Sequence, residues 1–317
     1  MKVAFVGKGG AGKTTLAAFF TDYLVSQGKH VLALDADINI HFARNFGIQP
    51  VSEKALSYPA NKQAIREHLR GANNQISDAK FFVKTTPPGQ GSNLLKISPT
   101  DPFIANHTQN LAENFFAAYV GTYETEEIGI SCYHTNLGIA ENIVSHLLTG
   151  KNHWLITDMV AGTDAFSGSL HLLFDAIFLV VEPTPEGVGV FQQYKHLAEA
   201  AGIWEHVWVV GNKIQDEVDQ NYLKENIGEK LVGFFNSKKQ IGHMRQQGQK
   251  LTLDQFGHQD VFQALQNTAE NSVWDRQKQL HKLHALHRIH ATEDYIISSC
   301  GDVSVQIDAD FIFPNHE

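Results

Sequence analysis

A doubly wound α/β fold, a mostly parallel sheet covered on both faces by helices, is what this sequence predicts, and two observations predict it. Short apolar runs recur along the chain: Val3–Val6, Val31–Leu34, Leu94–Ile97, Trp154–Thr157, Ala176–Val181, Val207–Val210 and Leu231–Phe235. They are continuous rather than alternating, as strands buried on both faces are. Most of the stretches between them have helical spacing and are long enough for a crossover, which parallel neighbours require.

The first run passes straight into Gly7-Lys8-Gly9-Gly10-Ala11-Gly12-Lys13-Thr14-Thr15 and then a helical stretch. Strand, loop and helix in that order are the context that makes Gly-x-x-x-x-Gly-Lys-Thr a phosphate-binding P-loop. Its glycines let the backbone wrap an anion, and N–H groups at the helix start face it. Lys13 is placed to reach the β- and γ-phosphates of ATP and Thr14 to ligate Mg²⁺. Gly9, Gly10, Ala11, Gly12 and Thr15 complete the cradle. Lys8 is a second lysine, five residues ahead of the expected one.

The second run ends in Asp35-Ala36-Asp37. In an open parallel sheet, ligands bind beyond the carboxyl ends of the strands, so both acids face the crevice of the loop. Asp37 is the candidate for orienting the attacking water and Asp35 for holding Mg²⁺ through water. Between about residues 50 and 150 the pattern loosens into turn-rich stretches such as "TTPPGQGSN", read as insertions within one domain. The fourth run ends in "ITDMVAG", where Asp158 is the Walker B carboxylate for the metal and Gly162 can offer a backbone N–H to the γ-phosphate. After a later run, "VVGNK" places Asn212, whose amide can serve adenine. The nucleotide-binding domain is complete near residue 270. Residues 271–317 form an appendage packed on it, helical at first, with "VSVQIDADFIF" alternating like a terminal strand.

Composition narrows the function. With 43% apolar residues in 317 the chain can bury a large core, and no apolar run approaches the ~20 residues of a membrane helix. A net charge of −9 without a basic block disfavours nucleic acid. The amino terminus reads as a strand rather than a leader, and Cys132 and Cys300 are the only cysteines, which fits a reducing cytoplasm.

Together, "KGGAGKTT", "DAD", "ITDMVAG" and "VVGNK" resemble the deviant Walker A ATPases, the group of MinD, ParA, the nitrogenase iron protein and arsenic-pump ATPases. The resemblance implies that Lys8 is the signature lysine, which crosses a two-fold axis to the partner's phosphates. It therefore implies a homodimer that closes on ATP and hydrolyses it. Within the group, "DADIN", "ITDMVAGTDAFSGS" and "SCYHTNLGIAENIVSHL" are similar to the CooC family, which serves nickel insertion into carbon monoxide dehydrogenase. That family carries Cys-x-Cys where this chain has Cys132-Tyr133-His134. Two such pairs across a dimer would make a set of two sulfurs and two nitrogens suited to Zn²⁺ and open to Ni²⁺, for delivery to a client metalloenzyme or other protein partner. Alternatively, Cys132 is an inert buried thiol beside a surface histidine. No cysteine follows Asp158 in the switch segment, which argues against a bridging iron–sulfur cluster.

The other reading of the same switch is a MinD- or ParA-like spatial organiser acting on membrane, DNA or a protein. The acidic, non-helical end "QIDADFIFPNHE" and the net negative charge count against it. His281, His284, His287 and His290 recur every third residue. They read either as pairs able to chelate a transition metal or as a partly exposed amphipathic helix. Three residues per step walk around a helix, so the four cannot form one tight cluster.

Overall fold

The computed structural model describes residues 1–122, 133–237 and 253–314, with the side chains of 133–135 and 164 left aside. The strands are β1 (Lys2–Gly7), β2 (His30–Ala36), β3 (Leu95–Lys96), β4 (Gln109–Ala112), β5 (Phe115–Tyr119), β6 (Leu147–Leu148), β7 (His153–Met159), β8 (Ala176–Val181), β9 (Val207–Ile214) and β10 (Leu231–Asn236). The helices are α1 (Lys13–Ser26), α2 (His41–Asn45), α3 (Pro59–Arg70), α4 (Pro102–His107), α5 (Tyr133–His146), α6 (Leu170–Leu173), α7 (Pro185–Ala200), α8 (Glu217–Ile227), α9 (Leu253–Phe256), α10 (Gln259–Asn271), α11 (Arg276–His290) and α12 (Asp294–Cys300).

Eight strands form one sheet in the order β10-β9-β8-β1-β7-β2-β5-β4, parallel throughout except that β4 runs against β5. The strands at its centre are buried on both faces because successive side chains point to opposite sides. In β1, Val3 and Phe5 enter one apolar cluster, and Ala4 and Val6 enter the other. The first cluster is aromatic: Phe20 of α1 meets Trp154 and Phe178 edge-on, with centroids 6.1 and 6.3 Å apart. Each such fully buried aromatic contributes about 1.5–3 kcal/mol. The second cluster lies under α3, α5 and α7 and also takes in Leu283 of α11.

Helix starts follow their local chemistry. Asp216 caps α8 through the N–H groups of Val218 and Asp219, and Asp275 caps α11 through those of Gln277 and Lys278. Thr184 caps α7, with Pro185 at the first helical position, where its missing N–H costs nothing.

Three expectations are corrected. The run Leu94–Ile97 does not join the main sheet; only Leu95–Lys96 is a strand, paired with β6 in a separate two-stranded sheet. The place beside β2 belongs to β5, inside the stretch read as insertion, with Val31 opposite Phe115 through Asp35 opposite Tyr119. The segment "VSVQIDADFIF" is not a strand: it holds one short 3₁₀ turn, Ser304–Gln306. Gln306 explains why, since its amide donates to Phe81 O at 2.9 Å and its Oε1 accepts from Thr86 Oγ1 at 2.8 Å. A polar side chain plugs into the domain where alternation would have an apolar one.

The chain after α10 is fastened to the rest by specific bonds. Trp274 Nε1 donates to Phe174 O at 2.9 Å, Arg276 pairs with Asp175 at 3.0 Å, and Gln279 Nε2 donates to Leu172 O at 2.8 Å. Among the described residues, no helix is long and apolar enough to cross a membrane.

Candidate nucleotide site

Parallel register brings the acids together. Asp35 of β2 lies directly beside Asp158 of β7, and Phe5 of β1 beside Asp158 on its other flank, so β1 runs out into the glycine loop next to both carboxylates. The loop's conformation belongs to glycine: Gly10 and Gly12 have φ of 85° and 101°, a region that residues with a Cβ rarely adopt. Gly12 is also the residue before α1, so the helix starts where the loop ends.

Lys13, on the first turn of α1, is buried. Its Nζ donates to Asp37 Oδ2 at 2.7 Å and lies 3.9 Å from Asp158 Oδ1. Burial pulls the Lys13 ammonium down, but Asp158 and Asp37 overcome it and hold its pKa above the ordinary lysine value. Burial acts to raise Asp37, but the bonds it accepts from Lys13 and from the N–H of Asn39 hold it low. Asn39 fixes the other oxygen: its backbone N–H and Nδ2 donate to Asp37 Oδ1 at 3.0 and 2.9 Å. Asn39 is a positioning residue that sequence reasoning passed over, although it stands in the quoted "DADIN".

Asp35 is wholly buried and accepts from the N–H groups of Asp37 at 3.1 Å and Ala43 at 2.9 Å. Desolvation first, then the neighbouring Asp158, push its pKa up to about 8. Thr14 Oγ1 donates to Asp158 Oδ2 at 2.7 Å. A hydroxyl and two adjacent buried carboxylates are a hard oxygen set of the kind Mg²⁺ accepts, and a divalent cation would relieve the repulsion that raises Asp35.

Two expected ligand contacts are committed within the protein. The Gly162 N–H donates to Gly7 O at 3.1 Å, tying the segment after β7 to the start of the loop. Asn212 lies under the loop, its Nδ2 donating to Ala11 O at 2.7 Å. Thr15 and Ala11 are buried in the cradle, whereas Lys8, Gly9 and Gly10 form its exposed rim.

The segment after Gly162 has a second anchor that the sequence did not advertise. Glu141 of α5, almost wholly buried, accepts from Ser169 N and Ser169 Oγ, both at 2.6 Å. Burial pushes its carboxyl up to about 7 against those two bonds. A Cβ at Gly168 would sit 2.3 Å from Glu141 Oε1, so any larger residue there must displace the carboxylate that holds Ser169.

The metal pair is not brought into view. Cys132 lies outside the described residues, as does the side chain of His134. Among the described residues, no group of three or more His, Cys, Asp or Glu is arranged to hold a metal ion. The helix carrying the histidine series has one buried and one exposed face: His284, His287 and His290 are buried, whereas His281 is exposed and Ile289 is 64% exposed. His287 is pinned as a core residue. Its Nε2–H donates to Val303 O and its Nδ1 hydrogen-bonds Thr85 Oγ1, both at 2.9 Å, and burial lowers its pKa.

The nucleotide-binding domain of the CobQ/CobB/MinD/ParA type matches residues 3–251. The ATP-binding protein MJ0823 of Methanocaldococcus jannaschii is 25% identical over 264 residues, covering 82% of this chain and 95% of that one. The carbon monoxide dehydrogenase accessory protein CooC of Rhodospirillum rubrum is 23% identical over 223 residues, covering 70% and 78%. Among solved structures, a ParA family ATPase from Chlorobium tepidum superposes with a TM-score of 0.57 at 14% identity over 85% of this chain and 98% of that one. The Pyrococcus furiosus cell division ATPase MinD gives 0.52 at 16% identity, with the same two coverages. These two likenesses bear on the fold, which they share with the sheet and loop described above. The chain belongs to the CobQ/CobB/MinD/ParA nucleotide-binding family and is a P-loop ATPase.

Proposed function

We propose that the protein is an ATP-driven dimeric switch that acts in the cytoplasm in the maturation of a metal centre, in the manner of the CooC family. The observation that carries the switch is the division of labour between two lysines. Lys13 is buried against Asp37 and Asp158, whereas Lys8 stands on the exposed rim of the loop. A lysine on the rim is free to serve phosphates bound by a second copy, supplying positive charge in trans.

In this reading the Lys13–Asp37 pair is the resting arrangement. ATP draws Lys13 to its phosphates and frees Asp37 Oδ2, while Asn39 keeps Oδ1 fixed. Asp37 then orients the water whose oxygen bonds to the γ-phosphorus as the bridging P–O bond breaks, yielding ADP and phosphate. Thr14, Asp158 and Asp35 would hold Mg²⁺, which supplies electrostatic stabilisation of the charge developing on the phosphates. Exchange of the Gly162 N–H from Gly7 O to the γ-phosphate would release the segment between Gly162 and Ser169. That segment ends on α5 at Glu141, and α5 follows Cys132 directly in the chain. Metal at Cys132 and His134 of both copies would thus be coupled to nucleotide.

The test is the solution mass of the full chain with a non-hydrolysable ATP analogue, together with its metal content. Lys8→Ala is expected to bind the analogue, stay monomeric and lose at least ~10²-fold in hydrolysis, on the scale of removing a charge-stabilising group. Intact dimer formation in this variant would remove the switch reading. Cys132→Ala is expected to lose the Zn²⁺ or Ni²⁺ that the wild-type dimer holds; full retention of the metal would remove the maturation reading and leave the ATPase standing.

A further inference from the structure

At the amino edge of the sheet, opposite the nucleotide site, a cavity of about 600 Å³ opens beneath the first residues of β1, between the β6–β7 connection and the C-terminal region. Its size falls within the range of small-molecule sites. Its walls are mainly apolar, with Leu148, Val273 and Phe313 among them. Val273 is half-exposed at 50%. Among the described residues, the charged side chains lining the cavity are cationic: Lys2, Lys151 and Arg276.

Lys2 is the unusual one, because its side chain is only 2% exposed. Its Nζ donates to Val144 O at 2.7 Å, near the carboxyl end of α5, which satisfies one of its three N–H groups. Arg276 spends its Nη2 on Asp175 at 3.0 Å and Thr149 Oγ1 at 3.0 Å. Asp175 is thus paired with Arg276 and takes only the backbone N–H of Lys2, whose ammonium meets a carbonyl rather than a carboxylate. Burial, and then the like charge of Arg276, lower the Lys2 pKa well below the ordinary lysine value, with Asp175 opposing. A buried cation with incomplete compensation is costly unless an anion completes it.

We propose that this cavity is a binding site for a small carboxylate-bearing amphiphile, whose apolar body lies against Leu148, Val273 and Phe313 and whose carboxylate meets Lys2 and Arg276. Charge complementarity selects this occupant: an apolar lining favours a hydrocarbon body, and the cationic side chains on its wall favour a single negative head. The site is independent of the nucleotide chemistry and of the maturation reading.

The probes are decanoate and decan-1-ol, which share a chain and differ in charge, titrated calorimetrically into the full-length protein. Wild type is expected to bind decanoate at least tenfold more tightly than the alcohol. Lys2→Met keeps an apolar stem and removes the charge, so the preference should shrink to twofold or less. Leu148→Trp fills the cavity and should weaken both ligands at least tenfold. Absence of a preference in the wild type overturns the proposal, as does a preference that survives Lys2→Met. Should Lys2→Met fail to fold by circular dichroism, Leu148→Trp decides, because undiminished decanoate affinity in that variant places the binding elsewhere.

Discussion

Gly12 shows how tightly the site is specified at the level of single residues. Its φ of 101° excludes ordinary side chains, and a Cβ would stand 2.2 Å from Asn212 Nδ2, the group that holds Ala11 O. Gly12→Ala must therefore strain the backbone or expel the amide that supports the loop. Nucleotide affinity is expected to fall at least tenfold, equivalent to about 1.4 kcal/mol, as measured by titration with a fluorescent ATP analogue. An unchanged affinity would mean that the loop does not depend on Asn212. The identities of Lys13, Asp35, Asp37 and Asp158 were legible because each sits at a fixed offset from a strand end. The bond from Lys13 to Asp37 was not, since it depends on how the end of β2 is placed against the start of α1.

At the scale of the element, α11 shows how burial decides the state of its histidines. Helical spacing alone left its histidines open between chelating pairs and a partly exposed amphipathic helix; in the fold His284, His287 and His290 face inward, while His281 and Ile289 face out. Burial, followed by the positive charge of Arg288 for His284 and of Lys84 for His290, lowers both rings to about 4. The unfolded chain takes up protons near the ordinary value of about 6.5 while the folded one does not, so the unfolded state binds more protons between these values. Stability must then decline as pH falls from about 6.5 toward 4. Replacing His284 and His290 together by Gln should flatten the pH dependence of the urea midpoint across that window. A slope identical to the wild type would show that these rings do not remain neutral in the fold.

The whole molecule is organised by the two ends of its sheet. Nucleotide chemistry gathers at the carboxyl edge, and the amino edge is bound together by Asp175, fully buried just before β8. Its carboxylate accepts from Lys2 N at 2.7 Å, Trp274 N at 3.3 Å and Arg276 Nη2 at 3.0 Å, joining the first strand to the C-terminal region. Burial would raise this carboxyl, but Arg276 leads the interactions that hold it below the ordinary range. Its stabilisation is thus present above the unfolded carboxylate value of about 3.9 and is lost as pH falls through the lower folded value. Asp175→Ala leaves Arg276 and Lys2 uncompensated and should cost about 3–5 kcal/mol, read by urea unfolding at neutral pH. A loss under about 1 kcal/mol would mean that the amino edge is held by apolar packing alone.

Strand-ending acids, the glycine loop and the parallel character of the sheet were determined by the sequence itself, because each follows from short-range geometry. A continuous apolar run must be buried on both faces, and a Gly-rich turn between strand and helix has few other uses. Which run stands beside which was decided only by tertiary structure. β5 rather than a run legible in the sequence stands beside β2, Gln306 plugged where a strand was expected, Glu141 met Ser169, and Lys2 came to line a cavity with Arg276. The reason is physical: burial and charge pairing depend on neighbours remote in sequence, and a local pattern carries no record of them.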